Sequence, residues 1–88
     1  MALRIFRPAQ PATVELDHGQ PSRILFGGKS GKVITARGPW NASGEWWRRE
    51  PWNREEWDVE IQTGWRRALY RIYHDPRRDT WFVDGSYD

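Results

Sequence analysis

The sequence predicts a small all-β domain: an antiparallel meander of about six strands, formed as a curled sheet or a small barrel, with at most one short helical turn near residues 51–56. Three observations carry this expectation. Short runs rich in β-branched and aromatic residues alternate apolar with polar at a period of two. Segments containing Gly or Pro separate them at intervals of roughly 8–12 residues, the spacing of a small all-β body. The 88 residues include seven Trp, three Tyr, three Phe and no Cys, so aromatic burial rather than disulfide bonding has to stabilise the fold. A sheet this small must bend to enclose its own apolar face.

Taken in order, residues 1–12, with Pro8 and Pro11, read as an extended lead-in rather than an element, leaving 13–88 as a single β domain. Thr13 to Asp17 alternates as a half-buried strand. His18-Gly19-Gln20-Pro21 is a turn, and Ser22 to Phe26 returns as the partner strand. Gly27-Gly28-Lys29-Ser30-Gly31 reads as a hairpin loop, followed by a strand over Lys32 to Ala36 that ends at Gly38-Pro39. Pro51 suits the first position of a helical turn through Asn53-Arg54-Glu55-Glu56. From Trp57 the two-residue period returns, with Trp57, Val59 and Ile61 on one face and Asp58, Glu60 and Gln62 on the other. Leu69 to Tyr73 and Thr80 to Asp84 are the last strands, joined by a loop at Asp75-Pro76. The expected core is Val14, Ile34, Trp40, Trp57, Val59, Ile61, Ile72, Trp81 and Val83.

Composition narrows the function classes. The longest apolar runs, such as Ile24-Leu25-Phe26, are far too short to span a bilayer. Arg4 and Arg7 interrupt the N-terminal apolar residues, against a secretory signal. The expectation is a cytoplasmic protein with no membrane association. Net charge is +2, unevenly spread: residues 1–37 hold six basic and two acidic side chains, residues 38–88 eight and ten. That imbalance is ordinary for a protein surface.

The chemistry-bearing residue types are few. Gly28-Lys29-Ser30 superficially matches the end of a phosphate-binding loop, but a β-prone run follows where a helix is required. His18 falls in a turn and His74 at a strand end, where solvated histidines are the ordinary case. Glu56, Asp58 and Glu60 share a face, which reads as a charged outer surface paired across strands with Arg66, Arg67 or Arg71 rather than as a metal site. Asn41-Ala42-Ser43 has glycosylation spacing but lacks a secretory context. No catalytic group, cofactor, metal or small-molecule substrate is expected.

The segment with the strongest functional signal is Trp46-Trp47-Arg48-Arg49 with Trp52 and Arg54. Two mechanisms use such a mixture of indole planes and guanidinium groups. One is a protein-binding hot spot, where Trp and Arg dominate; the other is base stacking on a single-stranded nucleic acid with phosphate contacts. Core packing competes for the same side chains, and adjacent Trp46 and Trp47 on a strand would point to opposite faces. Acidic residues around the segment favour a protein partner and put nucleic acid second. Trp46 or Trp47 is then the anchor, with Arg48, Arg49 and Arg54 placing hydrogen bonds around it.

Several of these stretches resemble one known family. Gly38-Pro39-Trp40, Ser43-Gly44-Glu45-Trp46-Trp47 and Trp52-Asn53-Arg54-Glu55-Glu56-Trp57-Asp58-Val59 are similar to the C-terminal region of ImuB. So are Leu3-Arg4-Ile5-Phe6-Arg7-Pro8, Leu69-Tyr70-Arg71-Ile72-Tyr73 and the ending from Trp81 to Asp88. ImuB is the Y-family-polymerase-like protein of a bacterial damage-induced (SOS) mutagenesis cassette. The resemblance implies a non-catalytic adaptor role in error-prone translesion DNA synthesis, with an ImuA-type accessory protein and an error-prone replicative-class polymerase as partners. It does not indicate which positions touch them.

Overall fold

The computed structural model describes residues 2–43 and 53–87. Over these the chain forms six strands: β1 Leu3–Asp17, β2 Gln20–Phe26, β3 Lys29–Ser43, β4 Asn53–Thr63, β5 Arg66–Asp75 and β6 Thr80–Tyr87. Each pairs antiparallel with the next, and β6 pairs back onto β1, so the meander closes into a ring. The ring is not a regular barrel, because the two 15-residue strands β1 and β3 each change partner along their length. β1 pairs with β6 up to Ala12 and with β2 from Ala12 onward. β3 pairs with β2 up to Lys32 and with β4 from Lys32 onward.

The tight connections follow from local backbone preferences. His18-Gly19 and Gly27-Gly28 are two-residue turns with positive φ at both positions, the requirement of a type I′ hairpin. At Gly64-Trp65 only Gly64 takes positive φ, as a type II′ turn demands. Lys29, Ser30 and Gly31 therefore belong to β3 rather than to a loop, and the Gly-Lys-Ser triplet enters a strand, not a helix.

Three expectations are corrected. Residues 3–12 are not a lead-in but the first part of β1, paired with β6. Proline is tolerated there because Pro8 falls in the stretch between Ile5 and Gln10 where the β1–β6 register shifts and the ladder is interrupted. Residues 53–56 are strand, not a helical turn. Glu55 and Glu56 pair on both sides, with Asn41 and Trp40 of β3 and with His74 and Tyr73 of β5, satisfying more backbone groups than an isolated turn would. Residues 51 and 52 lie outside the described residues. β3, finally, does not stop at Gly38-Pro39 but runs through it by means of a register shift between Arg37 and Trp40. Gly38 is required at that shift: its φ is +138°, and a Cβ would sit 2.7 Å from the Glu56 carbonyl oxygen and 3.2 Å from the Trp57 ring.

The core consists of Ile24, Trp57, Val59, Ile61, Ile72 and Val83, each at most 5 % exposed. Val14 and Trp81 pack against it partly buried, together with Phe6, Phe26, Val33 and Tyr70. Two expected members are displaced. The register shift between Val33 and Thr35 makes Ile34 the extra residue, so Val33, opposite Ile61, takes the inward position. Trp40, beyond the second shift, lies opposite Glu56 on the outer face and is 47 % exposed. The two indoles should therefore respond differently to truncation. Trp57→Ala should cost about 3–5 kcal/mol, while Trp40→Ala should stay within about 1 kcal/mol of the parent; urea unfolding followed by far-UV circular dichroism measures both.

Candidate functional site

With Trp57, Val59 and Ile61 turned inward, the strand period places Arg54, Glu56, Asp58 and Glu60 of β4 on the outer face. Strand register then lines up rows of outer side chains across β3 to β6. One row reads Trp40, Glu56, Tyr73, Phe82, and the next Arg37, Asp58, Arg71, Gly85. Tyr73 and Phe82 stack with ring centroids 5.2 Å apart at 21°. The Arg54 guanidinium lies 4.3 Å above the Tyr73 ring centre, within cation–π range. Its Nη2 points to Asp84 Oδ2 and its Nε to Glu56 Oε1, both at 3.4 Å, long for hydrogen bonds and in effect ion pairs.

Beside it, Arg71 donates from Nε to Asp58 Oδ1 at 3.0 Å and from Nη2 to Asp58 Oδ2 at 3.3 Å, a two-pronged pair between directly opposed residues. The Tyr87 hydroxyl donates to the same Oδ1 at 2.8 Å. Arg71 is the partner that the acidic row finds, as the strand period allowed. The hydrogen bond to Asp58 raises the Arg71 pKa despite partial burial. Burial is the chief cause that raises Tyr73 and, followed by its bond to Asp58, Tyr87. This outer face is unusually sheltered: the Glu56 and Asp84 side chains are only 13 % exposed. It presents oriented aromatic rings and fixed charges.

Of the residues nominated from the sequence, Arg54 belongs to this cluster. Trp46, Trp47, Arg48, Arg49 and Trp52 lie outside the described residues. The sequence reading missed Tyr73, Phe82 and Asp84. Their signal was present only as strand register, which shows which outer residues share a row.

His74 differs from its expected solvated state. Its Nδ1 lies 3.0 Å from Glu55 Oε1 and its Nε2 2.8 Å from Asp79 Oδ1, and the ring rests on Trp81 with centroids 4.7 Å apart. Two carboxylate partners require both ring nitrogens to carry protons. Burial opposes that charge, but the bonds to Glu55 and Asp79 outweigh it and raise the pKa above 6.5. Asp79 itself is almost fully exposed, which suits a fixed surface clamp more than a proton relay. Where β1 leaves β6 after Ala12, a cleft of ≈ 580 Å³ opens among Val14, Leu16, Trp81 and Phe82, with Asp79 its one titratable wall residue. Among the described residues no group of three or more His, Asp or Glu side chains is arranged to hold a metal ion, and no helix is long and apolar enough to cross a membrane.

Comparison with protein-family models, with curated proteins and with solved structures gives no match.

Two outcomes are expected from the geometry. Asp58→Asn removes the two-pronged partner of Arg71, leaving it the longer ion pair with Glu56 at 3.9 Å, and should cost about 1–3 kcal/mol in denaturant unfolding, with Tyr87→Phe costing less. For His74, the folded chain holds the imidazole proton more tightly than the unfolded chain does. Its stabilising contribution is thus complete below the unfolded value near 6.5 and lost as pH rises through the higher folded value. Unfolding free energy measured from pH 5.5 to 8.5 should fall across that window in the parent and much less in His74→Gln.

Proposed function

We propose that this domain is a non-catalytic protein-interaction module of an error-prone translesion DNA synthesis assembly, acting in the cytoplasm, and that it docks through the outer face of β3 to β6. The observation that supports docking is the row Trp40, Glu56, Tyr73, Phe82 with the Arg54 guanidinium held over Tyr73. Side chains already fixed by ion pairs and ring stacking lose little freedom when a partner covers them, so binding energy is not spent on ordering. Trp, Tyr and Arg are also the types that dominate protein hot spots. The two strands that carry Trp40 and Arg54 are joined by residues 44–52, which contain Trp46, Trp47, Arg48, Arg49 and Trp52.

The assembly is inferred from the resemblance of the Gly38–Trp40, Ser43–Trp47, Trp52–Val59, Leu3–Pro8, Leu69–Tyr73 and Trp81–Asp88 stretches to the C-terminal region of ImuB. On that reading the partners are an ImuA-type accessory protein and an error-prone replicative-class polymerase. A protein interface of this kind should tolerate moderate salt, unlike one built on phosphate contacts.

The test is a two-dimensional NMR titration of the labelled domain with each partner, following the seven indole N–H signals. Trp40 and the indoles of residues 44–52 should shift while buried Trp57 stays in place, and Tyr73→Ala should weaken the complex about 30-fold, the size of a hot-spot loss. An unchanged spectrum with both partners would sink the reading.

A further inference from the structure

We propose that the end of the sheet carrying the β4–β5 turn binds single-stranded nucleic acid, with phosphates along a row of cations that crosses β2, β3 and β5 and one base stacked on Trp65. Strand register builds the row. Arg23 of β2 faces Lys32 of β3, Lys32 faces Gln62 of β4, and Gln62 faces Arg67 of β5. Directly opposed residues share a face. Here it is the outer one, because the neighbouring Ile24 and Ile61 are buried and a Cβ on Gly31 would strike Ile61. Adjacent strands are about 4.8 Å apart, so Lys32 follows Arg23 at one spacing and Arg67 follows Lys32 at two. Lys29 and Arg66 are exposed at the same end, each beside a turn, but fall out of step with the outer row, Lys29 opposite core-packed Phe26 and Arg66 next to Arg67.

These cations differ from those of the Arg54 and Arg71 cluster. Arg23 faces Glu15 at 3.5 Å, with both side chains more than half exposed and the pair therefore weakened by solvent. Lys29, Lys32, Arg66 and Arg67 have no carboxylate within ion-pair distance among the described residues. At the tip of the patch Trp65 is 94 % exposed, the least covered large apolar side chain described. Its turn is tied down by Gln62, whose Nε2 donates to the Gly64 carbonyl at 3.0 Å. An indole held out on a fixed turn beside these cations matches a splayed base and its neighbouring phosphates. A duplex keeps its base faces stacked inward, and an acidic peptide answers the cations while leaving the indole plane without a partner. A membrane surface would need a broader apolar area than Trp65 with half-exposed Leu25.

The surface is distinct from the proposed protein-docking face, and the test separates them. Fluorescence anisotropy of a fluorescein-labelled twelve-residue oligothymidylate is measured with the folded domain between 50 and 200 mM salt. Trp65→Ala should weaken binding about 5- to 150-fold, the range for one stacked base. The Lys32→Glu, Arg67→Glu double variant should weaken it and flatten the salt dependence by roughly 1.4 in the log–log slope, about 0.7 for each phosphate no longer neutralised. Trp40→Ala should leave it unchanged, and all variants should keep the parent melting temperature. No binding at 50 mM salt, indifference to Trp65→Ala, or equally tight binding to polyglutamate or to phosphatidylserine vesicles would each overturn the proposal.

Discussion

Ala12 is the hinge on which closure of the ring depends. It pairs on one side with Trp81 of β6 and on the other with Phe26 of β2, and it is where β1 passes from the first partner to the second. Both neighbours are large rings packed against the core, so a small side chain between them lets the strands approach without a clash. Without that transfer the meander would end in two open strands, and Val83 of β6 and Ile24 of β2 would face water across the seam. Lys32 makes the corresponding transfer in β3. A sheet of six strands thereby encloses its own aliphatic residues with no second layer.

Closure also explains why charge is distributed as it is. An inward face filled with apolar groups leaves no ionisable side chain fully buried among the described residues, and strand register decides which charged side chains meet. In the middle of β4 and β5, Asp58 directly opposes Arg71 and takes both it and Tyr87. Toward the β4–β5 turn the acids run out and the cations stand beside one another or beside Gln62. One outer face therefore has two characters, a sheltered aromatic and ion-paired region and an open basic end, though both arise from the same alternation.

Much of this was legible in the sequence. The two-residue period identified Trp57, Val59, Ile61, Ile72 and Val83 as core, and His18-Gly19 and Gly27-Gly28 marked the first two hairpins, because both signals are local. What failed was governed by pairing at a distance. Pro8 and Pro11 argue against a strand by themselves, and only the interruption of the β1–β6 ladder makes room for Pro8. Asn53 to Glu56 have helical composition, which is overruled once Trp40 and Tyr73 compete for Glu56 from either side. Trp40 and Ile34 depart from expectation because each register shift in β3 reverses the inward and outward parity of the residues beyond it. Of the nominated site residues, Arg54 was recognised for its guanidinium, but its place over Tyr73 depends on cross-strand geometry that no single segment encodes.

The two partner exchanges carry a further cost that the irregularities answer. Among the described residues, β1 has no strand on its β2 side over Leu3 to Pro11, and β3 has none on its own β2 side over Val33 to Ser43. Such open edges are templates onto which another chain can add a strand, the first step of aggregation. The register shift around Pro8 interrupts the first edge, and Gly38-Pro39 with its register shift kinks the second. The same prolines that obscure these strands in the sequence thus deny an incoming strand a continuous ladder, and they favour a domain that can expose two long edges at high concentration without polymerising.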